Sequence, residues 1–186
     1  RCEQAPAAQV GQQAVAHATA QDVTRLVAEN STQPLALPHT LRFDEYKKAG
    51  GYQLALQVAA GLKDHESVIQ ELESSGLRGL GGAGFPAGIK WQTVARASGD
   101  PKYIVCNADE GDSATFADRM VMEGDPFMLI EGMAIAGFAV GADKGYVYIR
   151  SEYPHAIAKM EAAIKLSAHL VAPFVVEVRV GAGAYI

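Results

Sequence analysis

The stretch at residues 75–91 reads Ser-Gly-Leu-Arg-Gly-Leu-Gly-Gly-Ala-Gly-Phe-Pro-Ala-Gly-Ile-Lys-Trp and holds six of the 19 glycines in this 186-residue chain. Glycine loses much backbone entropy on ordering, so this composition predicts a loop rather than a helix or strand. Backbone without Cβ atoms can bring its N–H groups close to phosphate oxygens, and Arg78 and Lys90 add positive charge. We therefore expect an anion-binding loop. The alternative is a flexible linker, but linkers rarely carry residues such as Phe85 and Trp91.

Three of these glycines, Gly79, Gly81 and Gly84, match the dinucleotide fingerprint G-x-G-x-x-G. In a standard Rossmann site the fingerprint follows a strand and opens a helix. Here the preceding residues 67–74 have a helical pattern, and Pro86 follows directly. The order of elements therefore argues against a standard Rossmann site and keeps the phosphate-binding loop.

Composition excludes several classes of protein. The formal charge of −5 and the pI near 5.5 argue against a nucleic-acid partner. No apolar run reaches the ~18 residues that a membrane span needs. The five histidines lack the spacing of a metal site, and Cys2 and Cys106 are typical of reduced cytoplasmic thiols. The chain begins with Arg and has no signal peptide, so we expect a cytoplasmic protein of which this is a piece.

The hydrophobic pattern predicts an α/β architecture. An amphipathic helix is expected over 18–30, a proline-containing linker over 31–42, and two helices over 53–62 and about 64–74. Strands at 103–106, 145–149 and 174–180 alternate with helices at 126–140 and 154–167. This alternation favours a largely parallel sheet with ligands beyond the carboxyl ends of its strands.

A polar cluster follows the first of these strands. Asn107, Asp109, Glu110 and Asp112 stand within six residues of one another. At the carboxyl edge of a parallel sheet, and together with a glycine loop, such a cluster favours a ligand site over a solvated turn.

The stretch at residues 75–91 resembles the flavin-binding signature of the NADH-oxidising flavoprotein subunits. These are the FMN-carrying subunit of respiratory complex I and its relatives in soluble NAD-dependent formate dehydrogenases and NAD-linked hydrogenases. The family pattern is Gly-Leu-Arg-Gly-Arg-Gly-Gly-Ala-Gly-Phe-Pro-Thr-Gly-x-Lys-Trp, from which this chain departs at Leu80 and Ala87. Residues 107–119 are similar to a second family segment, with Ser113 and Ala114 in place of its Pro-Gly.

The resemblance implies a domain organisation. Residues 43–186 would form the N-terminal part of a Rossmann-like FMN-binding domain with a mostly parallel sheet, cut before the iron–sulfur region. Residues 31–42 would be a linker. The run Cys-Glu-x-Ala-Pro at residues 2–6 is similar to the end of a thioredoxin-like ferredoxin module, so residues 1–30 would be the tail of one. For Cys2 itself, a lone thiol is favoured over a cluster ligand, because the module's other cysteines are absent from this chain.

The resemblance also assigns residues. It implies backbone contacts to the flavin along the glycine loop, hydrogen bonds to its ring or ribityl chain, aromatic stacking on the adenine, and two acidic catalytic residues beside the nicotinamide. A late tyrosine would be a further flavin neighbour, and Thr93 stands where many relatives have a second aromatic residue. The implied cofactor-binding residues are Gly79, Gly81, Gly82, Phe85, Lys90, Asn107, Asp109, Glu110 and Tyr185, and the implied catalytic residues are Glu110 and Asp112.

The function implied is that of a diaphorase module, an NADH dehydrogenase that moves hydride between NAD(H) and FMN. Electrons would pass to or from iron–sulfur subunits of a hetero-oligomeric complex, and the [4Fe–4S] ligands of the family fall outside this chain. Asp112 and the thioredoxin-like tail favour a soluble formate dehydrogenase or hydrogenase over membrane complex I, and we expect a formate dehydrogenase. The alternatives are a subunit of an NAD-linked hydrogenase or of complex I, or a non-catalytic nucleotide-binding scaffold.

Overall fold

The computed structural model describes residues 5–33, 40–80, 82–112 and 115–182. Gly81, Tyr185 and Cys2, to which the sequence assigns roles, lie outside the described residues, as do Ser113 and Ala114. The chain divides into two compact units, residues 1–39 and 40–186. Each unit is described separately.

The first unit contains a short antiparallel hairpin, β1 (Ala8–Val10) and β2 (Gln13–Val15), followed by helix α1 (Ala20–Ala28). The helix begins at a capping box: the Thr19 side chain accepts a hydrogen bond from the Asp22 N–H, and the Asp22 side chain accepts one from the Thr19 N–H. The helix predicted over 18–30 is therefore confirmed in a shorter form. The sequence does not predict the hairpin, because strands of three residues are too short to show a periodic pattern.

The second unit begins with helices and continues as an α/β layer. Its elements, in chain order, are α2 (Phe43–Lys48), α3 (Gln53–Ala59), α4 (His65–Ser74), α5 (Ala87–Arg96), β3 (Tyr103–Ala108), α6 (Ala117–Gly124), α7 (Pro126–Val140), β4 (Lys144–Ile149), α8 (Pro154–Val171) and β5 (Val175–Val180). The strands form one parallel sheet in the order β3-β4-β5. The predicted α/β class with a parallel sheet is confirmed.

Several boundaries differ from the prediction. Helix α3 ends at Ala59 instead of residue 62, and α8 continues to Val171 instead of stopping at Ser167. Strand β3 runs on through Asn107 and Ala108, so the first residue of the polar cluster belongs to the strand itself. Asp64 caps α4 as expected, since its side chain accepts from the N–H of Ser67 at 2.9 Å.

Helix α7 is the centre of the core, as its apolar sequence predicts. Ile130 and Ala134 are fully buried, and the helix ends at Gly141 in the left-handed conformation. One charged residue is buried within it: the Glu131 carboxylate accepts hydrogen bonds from the Tyr46 hydroxyl and from the Tyr52 N–H. This network ties the first helices of the unit to the α/β layer. Among the described residues, no helix has the length and apolar character needed to cross a membrane.

Candidate functional site

The glycine loop, residues 75–86, folds back on itself between α4 and α5. The Gly79 N–H donates to the Phe85 carbonyl at 2.9 Å, and the Ala87 N–H donates to the Leu77 carbonyl at 2.9 Å. These bonds pair the two ends of the loop and leave a tip at residues 80–84. Arg78 closes that tip through its Nη1, 3.0 Å from the Gly84 carbonyl oxygen. One of the two cations expected to serve a ligand is therefore used inside the loop.

The glycines of the loop meet different requirements. Gly82 and Gly84 have φ values of +97° and +60°, which residues with a Cβ atom rarely adopt. A Cβ on Gly88 would lie 2.6 Å from the Glu73 Cα, so this glycine allows α4 and α5 to pack closely. Gly79 has neither reason: its φ lies outside the left-handed region, and the nearest atom to an added Cβ is 3.8 Å away. Nothing within the described fold requires glycine at residue 79.

The tip also presents hydrogen-bond donors that no described residue uses. Among the described residues, no hydrogen bond uses the N–H groups of Leu80, Gly82 or Ala83. The adjoining first turn of α5 has no side-chain cap, so Gly88 and Ile89 also leave their N–H groups available. Uncapped donors at a helix N-terminus, next to glycine backbone, form a surface suited to an anion.

Two side chains of the loop region face solvent. Lys90 is exposed and makes no side-chain hydrogen bond or ion pair with the described residues. Phe85 is 53% exposed, although aromatic side chains are usually buried in a fold of this size. Both are therefore available to a ligand at the loop.

A second group of residues converges at the carboxyl edge of the sheet. The Asn107 Oδ1 accepts from the Asp109 N–H at 3.2 Å, which turns the chain out of β3. A Cβ on Gly181, just after β5, would lie 3.0 Å from the Tyr148 hydroxyl oxygen and 3.4 Å from the Asp109 Oδ1. Backbone from β5 therefore approaches side chains from β3 and β4 closely.

Tyr148 is a member of this group that sequence reasoning placed only on a strand. The register pairs it with Asn107, so both side chains project from the same face of the sheet. It is 40% exposed. Its sequence position could have indicated this role, because it lies one residue before the end of β4 and therefore next to the polar cluster at the end of β3.

Glu110 has an internal role that the sequence did not predict. Its carboxylate accepts from the N–H groups of Asp118 at 2.8 Å and Arg119 at 3.2 Å, and from the Tyr153 hydroxyl at 3.0 Å. It thereby caps α6, whose own N-cap residue supplies no side-chain hydrogen bond. Asp112, in contrast, is exposed, and its carboxylate makes no hydrogen bond with the described residues.

Two groups near the polar cluster have shifted pKa values. Partial burial raises the pKa of Asp118, and the neighbouring Glu110 carboxylate adds to that effect. Burial also raises the pKa of the Cys106 thiol on β3, so this cysteine is a poor nucleophile. Among the described residues, no three His, Cys, Asp or Glu side chains converge as a metal site would require.

Helix α5 runs from the glycine loop to a point just before strand β3. The last turn of α5 lies at the amino edge of the sheet, since the Lys102 Nζ donates to the Ala95 carbonyl at 2.7 Å just before β3 begins. The helix has ten residues, so its first turn and the loop lie about 15 Å from that point. A cleft of about 380 Å³ at the amino edge, lined by residues that include His65 and Arg96, lies away from this site.

Comparison with known proteins gives a family. Residues 72–186 match the family described as the Nuo51 FMN-binding domain. The chain is 47% identical over 151 residues to the NADH-quinone oxidoreductase F 2 subunit of Rhizobium meliloti (strain 1021), covering 76% of this chain and 36% of that protein. It is 44% identical over 153 residues to the NADP-reducing hydrogenase subunit HndC of Solidesulfovibrio fructosivorans, covering 77% and 31%.

Solved structures agree with this result. A chain in the crystal structure of an NAD+-reducing [NiFe]-hydrogenase in the H2-reduced state superposes with a TM-score of 0.75 and 30% identity. The match covers 98% of this chain and 34% of that one. The fold is that of an FMN-binding α/β domain. The chain belongs to the family of the Nuo51 FMN-binding domain, and it spans about a third of the length of the relatives it matches.

Proposed function

We propose that this chain carries the FMN-binding and NAD(H)-binding part of a diaphorase, a flavin-dependent NADH dehydrogenase. The observation that carries the proposal is the glycine loop. Gly79 meets no requirement of the described fold, and the tip and the first turn of α5 leave N–H groups free. Close approach of an anionic ligand accounts for both features. The donor set therefore fits a phosphorylated cofactor such as FMN.

The proposed contacts to the flavin divide between the two parts of the site. Gly79, Gly81 and Gly82 would line it with backbone, and Lys90 would hydrogen-bond its ring or ribityl chain. Asn107 and Asp109 would supply polar groups from the carboxyl edge, with Tyr185 as a further neighbour. The exposed Phe85 ring suits stacking on an adenine.

The acidic residues are proposed to act on the nicotinamide through charge. FMN, when bound, supplies the hydride-accepting chemistry, so the protein's part is to stack, space and orient the rings. Negative charge near the nicotinamide favours its oxidised, cationic form. The exposed Asp112 carboxylate is available to act directly. Glu110 would act from the N-terminus of α6, where its carboxylate is held.

The finer assignment is a subunit of a soluble NAD-dependent formate dehydrogenase in the cytoplasm. It would exchange electrons with iron–sulfur subunits of a hetero-oligomeric complex. Residues 1–30 would be the tail of a thioredoxin-like module joined by a linker over 31–42. Asp112 and this tail support a soluble formate dehydrogenase or hydrogenase over complex I, and the named hydrogenase and NADH-quinone oxidoreductase relatives supply the alternatives.

The test is the visible spectrum of the purified full-length protein before and after anaerobic addition of NADH, with the released flavin identified by chromatography. Flavin bands that bleach with NADH are expected. Reduction of the same bands by formate, in the complex, would support the finer assignment, and reduction by hydrogen would support the alternative. A colourless protein that takes up no FMN would overturn the proposal and leave a scaffold role.

A further inference from the structure

Glu110 adopts a backbone conformation that its own side chain does not favour. Its φ is +45°, in the left-handed region where a residue with a Cβ atom is strained by about 1 kcal/mol or more. Such a conformation persists only where surrounding contacts hold it. The residue stands in the middle of the segment at residues 107–112, so its backbone angles determine the direction in which the rest of that segment leaves β3.

Four hydrogen bonds supply those contacts. The Glu110 carboxylate accepts from two backbone N–H groups of α6 and from the Tyr153 hydroxyl, and the Glu110 carbonyl accepts from the Arg150 Nη1 at 2.9 Å. Tyr153 and Arg150 come from the N-cap of α8 and from the residue after β4. Two parts of the chain, helix α6 and the connection between β4 and α8, therefore hold the segment at Glu110.

Tyr153 is buried within this arrangement. It is only 8% exposed, and its ring lies beneath the guanidinium groups of Arg119 and Arg150, whose carbons are 5.3 and 5.4 Å from its centroid. Its hydroxyl lies within hydrogen-bond distance of both the Glu110 carboxylate and the Thr115 carbonyl. Burial and the Glu110 hydrogen bond raise the pKa of Tyr153 to about 12, so the hydroxyl stays protonated and remains a donor.

We propose that Tyr153 and Arg150 are positioning residues that hold Glu110, and with it the segment at residues 107–112, in the geometry that binds flavin and nucleotide. This inference rests on the proposed function and deepens it. Neither residue touches the ligand in this role. Asn107, Asp109 and Asp112 would make the contacts, and the two positioning residues would keep them aligned.

The test compares Tyr153→Phe with Tyr103→Phe in the full chain. The first change removes one hydroxyl and keeps the ring, and the control removes a hydroxyl from a tyrosine that is 49% exposed on β3. FMN affinity is measured by quenching of flavin fluorescence, hydrogen exchange is followed at the amides of Asp118 and Arg119, and the KM and kcat for NADH are separated. Temperature and denaturant are chosen so that both variants are fully folded.

Tyr153→Phe is expected to weaken FMN or NADH binding about tenfold, the change produced by loss of one hydrogen bond to a charged acceptor. It is also expected to speed exchange at Asp118 and Arg119, with kcat at saturating NADH nearly unchanged and the control like wild type. Faster exchange with wild-type affinities would overturn the proposal, because Tyr153 would then have a structural role alone. Unchanged exchange would overturn it as well.

A second variant guards against a misfolded Tyr153→Phe protein. Arg150→Lys keeps the charge but loses the planar group that reaches the Glu110 carbonyl, and it is expected to weaken binding in the same way. If wild-type protein takes up no FMN, the proposed function itself fails and the positioning role fails with it. If wild type binds FMN and both variants bind equally well, the positioning role alone is wrong.

Discussion

Gly79 and Gly88 are only nine residues apart, but substitution by Ala should have opposite effects at the two positions. The first substitution should weaken FMN binding, and the second should lower the stability of the fold. In Gly79→Ala the added Cβ meets no atom of the described fold closer than 3.8 Å. In Gly88→Ala the added Cβ would lie 2.6 Å from the Glu73 Cα and 2.7 Å from the Glu73 N, and both of these are backbone atoms of α4. The first residue is proposed to face a ligand, and the second faces a helix.

The magnitudes follow from these distances. Gly88→Ala forces α4 and α5 apart, at a cost of about 2–3 kcal/mol, and regains about 1 kcal/mol from the better helix propensity of Ala. We expect a net loss of about 1–2 kcal/mol in the free energy of unfolding. Gly79→Ala should change that free energy by less than about 0.5 kcal/mol. Its methyl group, however, would occupy space that the flavin needs, so FMN affinity should fall at least about tenfold.

The assay pairs urea unfolding with fluorescence titration of FMN on the same protein preparations. Gly88→Ala serves as the control for stability, and binding is compared where both variants are folded. Wild-type FMN affinity in Gly79→Ala would refute the argument that this residue is glycine because a ligand approaches it. Wild-type stability in Gly88→Ala would refute the argument from helix packing.

Three further predictions concern the core, alkaline pH and the nucleotide. The hydroxyls of Tyr52 and Ser167 share one fully buried hydrogen bond of 2.6 Å, so Tyr52→Phe and Ser167→Ala should each cost about 1–3 kcal/mol of unfolding free energy. The double variant should cost clearly less than the sum of the two, because both single changes break the same bond. Full additivity in a double-mutant cycle would contradict this. Burial raises the pKa of Tyr52 and Tyr153 to about 12, so the stability that their neutral forms contribute is complete below about pH 10 and should be lost as pH rises toward 12. Urea unfolding across that range tests it, and a flat profile would contradict it. Thr93→Phe places an aromatic ring on an exposed position of α5 and should lower the KM for NADH; an unchanged or higher KM would refute an adenine-stacking role.

The glycine loop shows how far sequence reasoning reached into the site. Its composition alone predicted a loop, and the family pattern predicted its ligand. The sequence did not distinguish the tasks of its glycines. Gly82 and Gly84 serve the backbone, Gly88 serves helix packing, and Gly79 serves neither. These tasks depend on the φ angle of each glycine and on how closely α4 packs against α5. The composition of the loop determines neither.

Glu110 was the hardest residue to interpret from sequence. Its place in the polar cluster indicated a residue facing the ligand, whereas its carboxylate caps α6 and accepts from Tyr153, 43 residues away along the chain. Glu110 stands six residues before the N-cap residue of α6, Phe116. Local sequence patterns for helix caps do not extend that far, so they could not predict this cap. The close approach of Gly181 to Tyr148 and Asp109 was similarly missed, because it depends on strand register.

The sequence by itself determined what depends on local physics. Backbone entropy made residues 75–86 a loop, although the same composition did not predict that helix α5 begins at Ala87. Apolar periodicity made the α/β alternation and the buried α7 predictable. Tertiary structure alone decided which polar groups satisfy one another and which stay free for a ligand. That division depends on hydrogen bonds and close contacts between residues distant in sequence, such as Glu110 with Arg150 or Gly181 with Tyr148, whose geometry exists only once the sheet has formed.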